Sequence, residues 1–212
     1  EGMESDGKVV RPWIGVWGQT ITSTLSDTLG MSKPRGVLIN QIWPNGSGER
    51  SGIKRGDVIL AVNEIEVNTP GDLEFRFASL AVGQTAQLKI LSAGKIKTIQ
   101  LPLEPATSIP KPNITLLSGK NPLQGMSIAN LSPSLGEKLK LNRFYPGVII
   151  LKVKRGSLAS RMRFQPFDKI VSINNFIITS VNDVKSELSK QYKKWEITIK
   201  RNEKRLNLVV EL

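Results

Sequence analysis

Backbone recognition is the chemistry this sequence equips itself for, because its side chains leave little else. The 212 residues include no cysteine and no histidine. A thiolate, a histidine-activated nucleophile and any metal site built on Cys or His are therefore beyond what the chain can assemble alone. No cofactor and no metal are expected. The stretch with chemical content is Arg11-Pro12-Trp13-Ile14-Gly15-Val16-Trp17-Gly18, where a glycine sits among apolar residues at the start of a strand. Glycine there lets the backbone bend and lets another chain come close. The successive N–H groups of Ile14, Gly15 and Val16 then share one concavity, a nest for an anion such as a peptide's terminal carboxylate. Taken by itself the octet reads more simply as a strand start. The rest of the chain changes that, because most of the pattern occurs twice.

A carboxylate nest needs a groove behind it. A peptide lying beside strand 14–21 would add a strand to the sheet edge, with main-chain hydrogen bonds for affinity and side-chain pockets for preference. The far wall is expected from the helix 70–80, whose i, i+3, i+4, i+7 face carries Leu73, Arg76, Phe77 and Leu80. Leu73 reads as core. Phe77 and Leu80 are assigned to an apolar terminal residue, Arg76 to the rim and Trp17 to the groove. Two other candidates fall away. Gly46-Ser47-Gly48 with Gly52 lacks the spacing and the Gly-Lys-Ser/Thr of a phosphate loop, so it reads as a turn before a short helix. Asp57 and Asp168 read as caps of turns rather than catalytic acids.

The elements that must position these residues come in two copies. Gly36-Val37-Leu38-Ile39 returns as Gly147-Val148-Ile149-Ile150, and the same offset carries Asp57 onto Asp168, Asn63 onto Asn174, Asp72 onto Asp183 and Phe77 onto Leu188. Gly15 pairs with Gly125. Within each copy, strand-like runs alternate with short helices. Thr24 to Leu29 is expected as a helix with Ser23 as its cap, Thr69 or Pro70 opens another, and a closing hairpin turns at Ala93-Gly94. The expected organisation is a linker over 1–8, one domain over 9–104, a proline-rich extended linker over 105–120 and a second domain over 121–212. The end at Leu212 is expected to be a natural C-terminus. Hydrophobic residues make up 39%, enough for a core, and no apolar run reaches the roughly 20 residues of a membrane-spanning helix. The net charge of +12 is uneven: residues 1–105 hold 11 Lys/Arg against 11 Asp/Glu, residues 106–212 hold 19 against 7.

Two runs make the sequence similar to a known family. Ser51-Gly52-Ile53-Lys54-Arg55-Gly56-Asp57-Val58-Ile59-Leu60-Ala61-Val62-Asn63 resembles the PDZ domain family in its bacterial form, and Trp13-Ile14-Gly15-Val16 resembles its carboxylate-binding loop. Lys8 to Val16 further resembles the junction that follows the protease domain in Do/HtrA-type serine proteases, whose Do branch carries two PDZ domains. The resemblance implies a mainly β fold with short helices: two partly open PDZ-like β-barrels in tandem, each capped by two helices. It implies a periplasmic, ATP-independent endoprotease of protein quality control, with its catalytic triad upstream of this chain. The chain itself would bind C-terminal peptides of unfolded or partner proteins and touch its own protease domain and neighbouring subunits of a homo-oligomer. The second copy departs from the family at Gln124 and at Phe167, which replaces a glycine before Asp168. Its equivalent site, Leu123, Gln124, Gly125, Met126, Val184 and Leu188, is therefore the weaker expectation. The alternatives are a non-enzymatic scaffold, or a basic module whose second half docks on an anionic membrane; nucleic acid is the less favoured partner.

Overall fold

The computed structural model describes residues 10–142, 145–190, 192–202 and 204–211. The expected linker 1–8, the Lys8-Val9 part of the junction motif, Arg143, Glu203 and Leu212 lie outside these. The chain divides into two compact units, with the break between Ala106 and Thr107.

The first unit runs β1 (Val16–Thr20), α1 (Ser23–Thr28), β2 (Val37–Ile42), α2 (Ser47–Arg50), β3 (Val58–Val62), β4 (Ile65–Glu66), α3 (Pro70–Ala78), β5 (Thr85–Ser92) and β6 (Lys95–Pro102). Its sheet is antiparallel in the order β1-β2-β3-β5-β6, with β4 on β3, and β1 is an edge. Every residue of β3 is buried, as its unbroken apolar run requires of a central strand. Along β5 the inward Ala86, Leu88 and Ile90 alternate with exposed Gln87 and Lys89. Asn63 and Glu64, at φ 47° and 66°, make the tight turn into β4. Leu73 and Phe77, one helical turn apart, seat α3 on the core.

The second unit repeats the order with one strand added in front: β7 (Thr115–Leu116), β8 (Met126–Leu131), α4 (Pro133–Lys138), β9 (Gly147–Val153), α5 (Leu158–Arg161), β10 (Lys169–Ile173), β11 (Phe176–Ile177), α6 (Val181–Ser189), β12 (Lys194–Arg201) and β13 (Lys204–Glu211). Its sheet is β13-β12-β10-β9-β8-β7, with β11 on β10. Phe167 keeps the left-handed backbone that Gly56 has in the first unit, at φ 71° against 94°, so the departure there leaves the turn intact.

Each unit carries a third helical segment, the single turns α2 and α5, of which α2 is the short helix expected after the turn at Gly46. Two expectations need correcting. The cap of α1 is Thr22, whose Oγ1 accepts from Leu25 N–H at 3.3 Å, and Ser23 is already helical. The stretch read as an extended linker carries structure past the break: β7 lies in it, and Leu117 is 5% exposed in the core of the second unit.

Candidate functional site

The loop before β1 is held by its carbonyls. Ser47 Oγ donates to Trp13 O, Gly48 N–H to Ile14 O at 3.0 Å, and Trp43 N–H to Gly15 O at 2.7 Å. The Trp13 N–H donates to Glu104 O at 2.8 Å. Beneath the loop the Trp13 ring meets Trp17 and Trp43 edge-on, with centroids 6.1 and 5.9 Å apart. Gly15 sits over this cluster at φ +68°, and a Cβ there would stand 2.9 Å from the Trp13 ring. Both the backbone conformation and the close approach require glycine.

With its carbonyls tied inward, the loop turns its donors outward. Among the described residues, no acceptor is found for the N–H of Ile14 or Gly15. The register settles Val16. Gly15 and Trp43 share a hydrogen bond, and the next pair, Val16 opposite Ile42, is a non-bonded one. The Val16 N–H and C=O therefore point away from β2, to the open edge. Three N–H groups and one C=O face the position of an added strand, the donor set that a terminal carboxylate and its own N–H need.

α3 lies beside β1. Ile14 and Val16 from the loop side and Leu80 from the helix side are half-buried and pack against the core between them. These side chains form the apolar lining, and Arg76, also half-buried, lies on the same helix face. Phe77 and Trp17 depart from expectation. Phe77 is 4% exposed, because i+4 spacing from Leu73 points both side chains into the core, so it floors the groove instead of lining it. Trp17 follows Val16 on a strand, so it points to the opposite face and joins the tryptophan cluster. The sequence reading missed Ser47 and Gly48 as supports of the loop. A Cβ on residue 48 would fall 2.8 Å from Ile14 O and 2.6 Å from Val16 Cγ1, and the only signal was a glycine inside a helical turn. Asp57 is buried and accepts from Lys54 N–H at 2.8 Å, as a turn cap does.

The PDZ domain family matches residues 12–103. That stretch of the chain belongs to the PDZ family. Beyond it, the chain is similar to proteins named probable periplasmic serine endoprotease DegP-like. One from Rhizobium meliloti is 32% identical over 184 residues, 87% of this chain and 36% of that protein. One from Marinomonas sp. is 31% identical over 179 residues, 84% of this chain and 37% of that protein. The chain thus spans less than two-fifths of the length of these relatives. A solved structure described as HtrA-type protease AlgW with decapeptide shares 25% identity over 48% of this chain and 31% of its own, at a TM-score of 0.43.

The equivalent site of the second unit is differently furnished. Leu123, Met126 and Val184 are fully buried, and Leu188 is half-buried against the same core. The Gln124 N–H donates to Asn121 O at 3.2 Å and the Met126 N–H to Leu123 O at 3.2 Å. Gly125 N–H is also engaged, at 2.9 Å. A loop whose three donors are all occupied has none for a carboxylate, so the expected second nest is absent from this conformation.

Proposed function

We propose that the first unit captures the free C-terminal end of an extended peptide by strand addition along β1. The PDZ match supports peptide binding as the activity of this fold, and the outward N–H groups of Ile14, Gly15 and Val16 carry the reading to a carboxylate. The terminal side chain lies against Ile14, Val16 and Leu80, and its N–H meets the Val16 carbonyl. The resemblance to DegP-like relatives extends the proposal to the whole protein: a periplasmic serine endoprotease of quality control, in which this region tethers substrate ends and contributes to assembly or its control. The nucleophile would come from elsewhere in such a protein, since this chain has no histidine to activate one.

The test is titration with two versions of one peptide ending in an apolar residue, one with a free carboxylate and one amidated. The free form binds at tens of micromolar, about 6 kcal/mol, with shifts at the Gly15 and Val16 amides. Equal affinity for both forms overturns the nest. A second reading, docking of the basic half on an anionic surface, is favoured by the uneven charge: all of the +12 excess lies in residues 106–212.

A further inference from the structure

In the second unit the edge that would receive a peptide already carries a strand. β7 pairs antiparallel with β8, Thr115 opposite Ile128 and Leu116 opposite Ser127. The next residue makes the contacts that matter. Leu117 N–H donates to Met126 O at 2.8 Å, and Gly125 N–H donates to Leu117 O at 2.9 Å. Met126 and Gly125 are the counterparts of Val16 and Gly15. Leu117 therefore uses the carbonyl and one of the donors that stand free in the first unit. Its side chain is 5% exposed, in the core that includes Val184 of α6.

The residues before it continue along the same line. Asn130 N–H donates to Pro112 O at 2.8 Å, and Asn130 Nδ2 to Lys111 O at 2.9 Å. Asn113 Nδ2 donates to Asn182 Oδ1 on α6 at 3.3 Å. The segment thus touches β8 on one side and α6 on the other, the two walls of the groove. We infer that residues 111–117 are the resident ligand of this groove, with Leu117 in the place of a peptide's last residue, and that the groove accepts an outside peptide only when the segment leaves. This rests on the reading of the first unit as a peptide-binding edge.

The hold is light enough to release. Only two residues form the strand, and Ile114 and Leu116 are 65% and 67% exposed. A cleft of about 670 Å³ remains beside the segment, lined by Leu116, Leu117, Leu188 and Tyr192 among others. The chain also runs on from Leu117 into Ser118 and Gly119, so one carbonyl stands where a carboxylate would offer two oxygens and a charge. A peptide ending at that point brings a charged oxygen to the one donor the segment vacates, the Gly125 N–H, a stronger acceptor than the carbonyl of the tethered strand, whose advantage is its local concentration.

The register supplies a variant and its control. Leu117 faces Met126 in a bonded pair, so Leu116 opposite Ser127 is a non-bonded pair and Thr115 opposite Ile128 a bonded one. Thr115→Pro removes an N–H that the ladder uses, whereas Leu116→Pro removes one that points outward. The probe is a free-carboxylate peptide copying residues 111–117, titrated into the full chain with amide shifts read residue by residue. Gly125 and Ile128 report the second unit; Gly15 and Val16 report the first, so failure of one site is not mistaken for failure of the other.

In the unaltered chain the probe leaves the Gly125 and Ile128 amides in place. Thr115→Pro makes them shift saturably, with an apparent affinity at least about tenfold tighter, because the open fraction rises. Leu116→Pro behaves as the unaltered chain. Equal binding at Gly125 in all three proteins overturns the proposal, as does a detached segment whose groove still refuses the probe. Hydrogen exchange of the unaltered chain decides the matter if Thr115→Pro does not fold. The Leu117 and Gly125 amides exchange together, at least about tenfold faster than Ile199 in the centre of the sheet. Protection equal to that of Ile199 would make the segment part of the core and sink the idea.

Discussion

Asp57 and Asp168 occupy the same place in the two copies, and they end up with different partners. Each is buried and accepts an N–H from three residues back, Lys54 at 2.8 Å and Gln165 at 2.9 Å. Asp168 also takes Arg201 on both oxygens, Nε to Oδ1 at 2.6 Å and Nη2 to Oδ2 at 2.6 Å, while Nη2 reaches Arg163 O at 2.9 Å. The position matching Arg201 holds Ser92 in the first unit. Asp168→Ala strips a charge-assisted pair as well as a turn cap and is expected to cost about 2–3 kcal/mol, against about 1 kcal/mol for Asp57→Ala. Urea unfolding of the two variants checks this, and equal losses would mean that the Arg201 pair adds nothing. Gly15 makes the sharper functional case at this scale. Gly15→Val puts a branched Cβ against the Trp13 ring at a φ of +68°, so peptide affinity should fall at least about tenfold. Unchanged affinity would remove the loop from the site.

The elements that the sequence announces are those whose signals are local. α3 and α6 begin with the same capping box: Thr69 with Asp72, and Ser180 with Asp183. The outermost hairpins are marked by apolar alternation and by residues that tolerate positive φ, Gly94 and Asn202. What could not be read depends on a partner distant in sequence. β7 has two residues in a proline-containing stretch, and only the free edge of β8 makes it a strand. Residue type suggests Trp17 for the groove and helical spacing suggests Phe77, but the face each occupies is set by the strand alternation and by the seat of α3. The boxes carry a pH prediction. The Asp72 pKa is lowered chiefly by the Asn68 N–H, and that of Asp183 chiefly by the Thr179 hydroxyl. A carboxyl more acidic in the folded state stabilises the fold above its ordinary value of 3.8, and that contribution is lost as pH falls below it. Stability measured by urea should therefore drop on acidification below about pH 4, and the pair Asp72→Asn with Asp183→Asn should flatten that drop. An unaltered slope in the double variant would show that the boxes do not contribute.

At the scale of the whole molecule the two copies differ most in charge. The fold tolerates this because the excess sits on exposed positions: Lys152 on β9 and Lys154 just past its end are exposed while Val153 between them packs on the core, and Lys193, Lys194, Lys204 and Arg205 are exposed around the last hairpin. The cations also cluster around an aromatic ring, with the ammonium groups of Lys200 and Lys169 at 4.4 and 5.8 Å from the Tyr145 centroid. Arg201, in the same hairpin, is tied to Asp168 and does not belong to this docking surface. We propose that this half meets an anionic lipid surface, as a region held near a membrane would. Each Lys or Arg close to such a surface contributes about 1 kcal/mol, screened over about 10 Å at 0.1 M salt. Four contacts give measurable binding at low salt, and the first half, with 11 Lys/Arg against 11 Asp/Glu, has no net charge to match. The full chain should therefore cosediment with vesicles containing anionic lipid at low salt and be released by raised salt. Charge reversal of Lys204 and Arg205 should weaken this severalfold, while Lys95→Glu with Lys97→Glu in the first unit leaves it unchanged. Equal losses from the two pairs, or binding indifferent to salt, would rule out a docking face on the second half.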